Sequence, residues 1–288
     1  MTSEDPPNDA PEDSLTDSFE DVDADLVRWS IPADVPRRLF GGLVPELSTP
    51  VGLRVAARVL HSLIVRCAPA TIYVVGRAAG EPADSQTQIA LDLPSVDEAR
   101  ARKLARAGDF TVVAGDPRPA WLADFGAVTS VIAALAPGCG IVPIAVNTAG
   151  DALRLGKILG ASDDTVVVAL SCLTRYGEPF QFAPAGLGPG AGPWIRANDA
   201  RMVGLVARLE AERIMDEALE HHNATAAPAI VAAVLASRQR GATCGTVVEY
   251  THSGVDLVSA AVDGSVGLVG ALFGAPSHAG RTRDDDSP

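Results

Sequence analysis

Apolar positions along the chain fall into two alternating kinds of run. Thr71–Val75, Phe110–Val113, Ile141–Val146 and Thr165–Leu170 are short, β-branched and continuous, the pattern of strands buried on both faces. Between them lie helical patterns. Ser48-Thr49-Pro50 supplies a cap residue and a proline suited to a first helical turn, and Val55, Ala56, Val59, Leu60, Leu63 and Ile64 then recur at helical spacing with His61 on the other stripe. Trp121–Leu135 is an alanine-rich apolar helix, and Gly150–Leu159 another. Strand and helix in alternation predict an α/β fold, a mixed and mainly parallel sheet flanked by helices.

Three segments complete the pattern. Val27–Leu43 mixes apolar and turn residues, and its two prolines argue against one helix, so it reads as an irregular lead-in. Gly177–Gly192 is a Gly/Pro-rich loop, long enough to suggest a functional role. After helices near 198–209, 210–221 and 226–237, Thr246–Tyr250 and Val266–Phe273 return as strands, so the C-terminal third rejoins the sheet. The expected organisation is one α/β domain over 26–275, with a disordered acidic tail at 1–25 and a disordered tail at 276–288.

Composition sharpens this. Of 288 residues, 47% are hydrophobic and 20% charged, and the net charge is −13. Residues 1–25 hold ten Asp/Glu and no base, and 281–288 hold three Asp against two Arg, which leaves a body near −2. The acidity belongs to a solvating arm, and a near-neutral body lacks the cationic stripe that nucleic-acid binding requires. No apolar run approaches the roughly 20 residues of a membrane span. An acidic, proline-bearing start is unlike a secretory signal, and four cysteines without a CxxC pair suit a reducing, cytoplasmic compartment. Self-association is compatible with so apolar a chain, although no interface is legible.

Isolated chemistry-bearing residues have structural explanations. Gly186–Gly192 follows no clear strand and lacks the Lys-Ser/Thr of a phosphate loop. The five histidines show no metal-ligand spacing, and His221-His222 closes a helix, where positive charge suits the dipole. His252 and Ser253 are adjacent but outside any nucleophile-elbow pattern. Cys244 reads by default as a buried structural thiol, with a metal ligand or reactive thiolate as the alternative.

Taken in order, however, Val44-Pro45-Glu46-Leu47, Val74–Ala79, Ile141–Ile144, Ser171–Gly177 (SCLTRYG), Ala242–Gly245 (ATCG), Tyr250–Gly254 and Val266–Phe273 resemble the successive motifs of the Memo family. This is protein B of the AmmeMemoRadiSam system, whose fold is similar to class III extradiol dioxygenases. The resemblance runs over roughly residues 40–273 and implies a metal-competent pocket lined by histidines and a cysteine. This chain departs where the chemistry lies: Glu46, Ala79, a position near Asp124, and Arg175 stand at the histidine positions, and Cys244 alone is retained. Arg175 would put a permanent cation where a metal should sit.

Two functions follow. The first is a pseudoenzyme, a Memo-like protein without a cofactor, whose pocket of Glu46, Asp124, Arg175, Tyr176 and Cys244 binds a small anionic ligand or a protein partner under the 177–192 loop. The alternative is a divergent extradiol-dioxygenase-like oxidoreductase, either holding Fe or another divalent metal on Glu46, Asp124 and Cys244, or working without metal through Cys244 as nucleophile. A third version makes Glu46–Arg175 a purely structural ion pair.

Overall fold

The computed structural model describes residues 35–46, 49–78, 85–115, 118–162, 165–253 and 264–276. The acidic arm, Ala79 and the tail beyond 276 lie outside them. Among the described residues the chain forms one nine-stranded mixed sheet with helices on both faces. The strands are β1 (Arg38–Val44), β2 (Thr71–Gly76), β3 (Gln88–Ala90), β4 (Thr111–Val113), β5 (Gly140–Ala145), β6 (Thr165–Leu170), β7 (Arg175–Gly177), β8 (Cys244–His252) and β9 (Gly264–Ala275). The helices are α1 (Pro50–Cys67), α2 (Glu98–Gly108), α3 (Leu122–Leu135), α4 (Ala149–Gly160), α5 (Ala191–Arg208), α6 (Ala211–His221) and α7 (Ala227–Gln239).

The sheet order is β4-β3-β5-β2-β6-β1-β9-β7, with β8 on the other edge of β9. The central quartet β5, β2, β6 and β1 is parallel, while β9 joins β1, β7 and β8 antiparallel, and β3 meets β5 antiparallel. Each central strand divides its side chains between two cores. Tyr73, Val75, Val142, Ile144, Val167 and Ala169 face the helices α2, α4, α5, α6 and α7. Ile72, Val74, Ile141, Val166, Val168 and Leu170 face α1 and α3. Continuous apolar runs are therefore required, because neither face meets water.

The cap read from the sequence forms at Thr49: its hydroxyl accepts from Gly52 N at 3.2 Å, with Pro50 opening α1. The helix stops at Ala68, which takes a left-handed conformation and returns its N–H to Ile64. No helix among the described residues is long and apolar enough to cross a membrane.

Three differences from the sequence reading matter. Arg38–Val44, expected as irregular lead-in, is a strand inside the sheet, between β6 and β9. Its two glycines, which weaken the strand pattern, are required by packing. A Cβ on Gly41 would lie 2.4 Å from Val167 O and 2.7 Å from Ser237 Oγ, and one on Gly42 would lie 2.7 Å from Ala271 O. The charged helix α2 and the three-residue strands β3 and β7 carry too little apolar pattern to be legible. Finally, the 177–192 stretch is more ordered than a structureless loop. It holds a 3₁₀ turn at Glu178–Phe180, and Phe182 packs with Tyr176 and Trp194.

Gly41→Ala should lower stability by about 1–3 kcal/mol through overpacking. Gly126→Ala, in α3 with nothing within 4 Å of its Cβ position, should raise it by about 0.5–1 kcal/mol. Urea unfolding of both variants, read as midpoint shifts at constant slope, checks the pair.

Candidate functional site

In open α/β sheets the carboxyl ends of parallel strands are where loops converge and ligands sit. Here Glu46 leaves β1, Arg77 leaves β2, and Ser171 and Cys172 leave β6 at that edge. The edge is stitched together by short-range bonds. Ser171 N donates to Val44 O at 3.0 Å, and Ala78 N donates to Asn147 Oδ1 at 3.0 Å. Thr225, from the α6–α7 connection, accepts from Cys172 N on its hydroxyl at 2.9 Å and donates its own N–H to Cys172 O at 3.0 Å.

At the centre lies Glu46, whose side chain is only 7% exposed. It is ion-paired with Arg175, whose guanidinium donates through Nη2. Burial pushes the Glu46 carboxyl above its ordinary range, and outweighs the attraction of Arg175 and Arg77 and a hydrogen bond from the Thr225 hydroxyl, which all pull it down. Asp124, exposed in the first turn of α3, adds a smaller upward push. Glu46, Arg77, Asp124, Arg175 and Thr225 thus form one electrostatic unit. Both arginines keep a buried Nε with no hydrogen-bond partner, a costly state for a charged donor.

Beside this unit opens a cavity of about 560 Å³, lined by Leu173, Arg175, Phe180, Gln181, Phe182, Ala218, His222, Ala224 and Thr225. Arg175 sits 5.9 Å from the centre of the Phe180 ring, and His222 meets Phe182 edge-on at 5.3 Å. The cavity thus mixes the aromatic rings of Phe180 and Phe182 with polar side chains, among them the Arg175 cation, Gln181 and Thr225.

The structure brings Glu46, Asp124 and Arg175 together but not the other two residues expected with them. Tyr176 is fully buried. Its hydroxyl donates to Gly186 O at 2.7 Å and accepts from Ala185 N at 3.0 Å, and its ring packs on Trp194. It pins the 177–192 segment instead of lining the cavity. Cys244 stands opposite Gly274, which is paired with Leu39 at the amino end of β1. The seven residues of strand and exit between Leu39 and Glu46 amount to about 23 Å, so Cys244 is at the wrong end of the sheet. Its thiol instead contacts Gly274 O at 3.7 Å.

The proposed ligand set of Glu46, Asp124 and Cys244 is therefore not assembled. Among the described residues no group of three or more His, Cys, Asp or Glu could hold a metal ion. Two carboxylates beside two guanidinium groups do not fit a divalent cation that needs about three firm protein ligands. A Cys244 nucleophile in this pocket is excluded by the same placement. Ser253 and His252 do not act on each other: Ser253 Oγ accepts from Val266 N at 3.1 Å, and His252 turns to Tyr250.

The sequence reading missed Arg77 and Thr225. Arg77 directly follows the buried run Thr71–Val75, a signal available in the sequence, whereas Glu46 was singled out by its motif position. Thr225 bonds Glu46 and Cys172, and its signal in the sequence is its place just ahead of the apolar helix α7.

No protein-family model matches the chain, and no curated protein matches it. Among solved structures it is similar to that of an uncharacterized protein, JW3007, from Escherichia coli K12. The two share 14% identity over 82% of this chain and 100% of that one, with a TM-score of 0.48.

Because the folded-state Glu46 pKa is raised, the stability it contributes is present at low pH and is lost as pH rises through that pKa. The advantage of the wild type over Glu46→Gln should accordingly be larger at pH 4 than at pH 8, by about 1.4 kcal/mol for each unit of the rise. Urea titrations at the two pH values measure it.

Proposed function

We propose that this chain is a Memo-like protein in which an arginine–carboxylate cluster has taken the place of the metal site, and that it binds a small ligand through an anionic group without catalysing a reaction on it. The observation that carries the reading is the pair of buried, unbonded Nε donors of Arg77 and Arg175, both acting on Glu46, with Arg175 also lining the neighbouring cavity.

An anionic group placed against those donors would form charge-assisted hydrogen bonds, which arginine geometry favours. The Glu46–Arg175 pair holds one guanidinium in a fixed pose, so less side-chain entropy is lost when a ligand arrives. Phe180, Phe182, Leu173 and His222 would then cover the apolar part of the ligand. That none of the four cysteines forms a disulfide suits action in a reducing, cytoplasmic setting.

Calorimetric titration with malonate and with inorganic phosphate provides the test. Arg77→Ala, which leaves the Glu46–Arg175 pair in place, should weaken binding by about 10- to 100-fold, the loss of one charged hydrogen bond of about 1.5–3 kcal/mol. Arg175→Lys should weaken it similarly, and Cys244→Ala should leave it unchanged. The reading fails if neither anion binds the wild type, or if both arginine variants bind as well as it does.

A further inference from the structure

A second polar cluster lies on the α5 side of β9, outside the candidate site. Asp199 of α5 is completely buried. One of its oxygens accepts from Thr174 N at 2.9 Å, and the other from the Tyr250 hydroxyl at 2.9 Å. The Tyr250 oxygen also lies 2.8 Å from His252 Nε2, and His252 Nδ1 lies 3.5 Å from Ser265 Oγ. The room for Asp199 is reserved by Gly267, where a Cβ would come within 2.2 Å of its Oδ2.

The donors and acceptors in this row can be ordered in one direction. A carboxylate only accepts, so the Tyr250 O–H must point at Asp199. The Tyr250 oxygen must then accept from His252, which fixes the Nε2–H tautomer and leaves Nδ1 as an acceptor facing the Ser265 hydroxyl. If Asp199 takes up a proton, every bond in the row can reverse. Asp199 O–H then donates to Tyr250, Tyr250 donates to Nε2, and Nδ1–H donates towards Ser265.

We infer that Asp199, Tyr250, His252 and Ser265 form a proton relay that carries a solvent proton from the half-buried His252 to the buried Asp199 carboxylate. The balance is one proton. It arrives from water at His252 Nδ1, the Nε2 proton passes to the Tyr250 oxygen, and the Tyr250 proton passes to Asp199. His252 is neutral before and after, with only its tautomer changed.

The charged surroundings suit that role. Burial raises the Asp199 carboxyl to about 6, against hydrogen bonds from Thr174 and Tyr250 that lower it. Burial, followed by Arg196 on α5, holds His252 down to about 4, so the ring does not retain the proton. Tyr250 is pushed well above its ordinary range, by burial first and then by Asp199, and so serves as a conduit without ionising. Arg196, Thr174 ahead of β7 and Ser265 on β9 flank the row. Thr174 immediately precedes Arg175, so the relay changes the charge directly behind the strand that carries the anion-pocket arginine.

Nitrogen-15 NMR of the full chain, labelled at histidine, tests the relay. In the wild type, His252 should carry its proton on Nε2 at pH 8 and on Nδ1 at pH 5, with a midpoint near 6 and no imidazolium between. Asp199→Asn, whose amide can donate to Tyr250, should lock the Nδ1–H form even at pH 8. Tyr250→Phe should abolish the switch while the far-ultraviolet circular dichroism stays native. A His252 ring that keeps Nε2–H throughout, that becomes an imidazolium over this range, or that still switches in Tyr250→Phe would overturn the inference.

Discussion

A carboxylate at the end of a central strand is the constraint around which this molecule's functional edge is arranged. Glu46 leaves β1 at a point where both sheet faces are covered, so its charge cannot reach water freely. Such a group persists only if it is paired and hydrogen-bonded. Arg175 from β7, Arg77 from the end of β2, and Thr225 ahead of α7 meet that need from three different parts of the chain. Burial still outweighs them, so the site stays electrostatically tense and is not simply neutralised. The arginines that satisfy Glu46 are themselves left with buried donors unfilled, and this imbalance is the ground on which the edge is proposed to bind an anion.

The fold prepares that edge in a simple way. Parallel β5, β2, β6 and β1 bury both faces, so their polar exits collect at one end. The antiparallel β9 then brings β7, and with it Arg175, next to β1. Tyr176, one residue further, points into the small core with Trp194 and Ile195 and so anchors the segment whose Phe180 and Phe182 wall the cavity. Neighbouring residues on one short strand thus divide the work: one holds the loop and the other faces Glu46. The Asp199 row lies behind the same strand through Thr174.

Much of this was readable from residues, and the omissions have physical causes. Continuous β-branched runs announced β2, β5 and β6, and Thr49-Pro50 announced α1, because burial on two faces and helix capping impose local patterns. β1 escaped notice because its glycines, Gly41 and Gly42, answer to neighbours far along the chain, Val167, Ser237 and Ala271. Glu46 and Arg175 were legible as a charge pair at aligned motif positions. Cys244 was misplaced because a cysteine ahead of a strand looks the same whichever end of the sheet that strand begins at; only strand register separates it from Glu46. Thr225 carried no chemical signal, since threonine ahead of a helix ordinarily means a cap. Asp199, Tyr250 and His252 were invisible as a unit because α5 and β8 meet only in the folded chain.

The most direct measurement is a crystal structure of the wild-type protein grown with selenate, a tetrahedral anion located by its anomalous scattering. The account predicts a selenate beside Glu46, within hydrogen-bond distance of Nε of both Arg77 and Arg175, with the Glu46–Arg175 pair intact. Both guanidinium groups bonded through Nε to protein oxygens, or turned out to solvent with no anion between them, would contradict it.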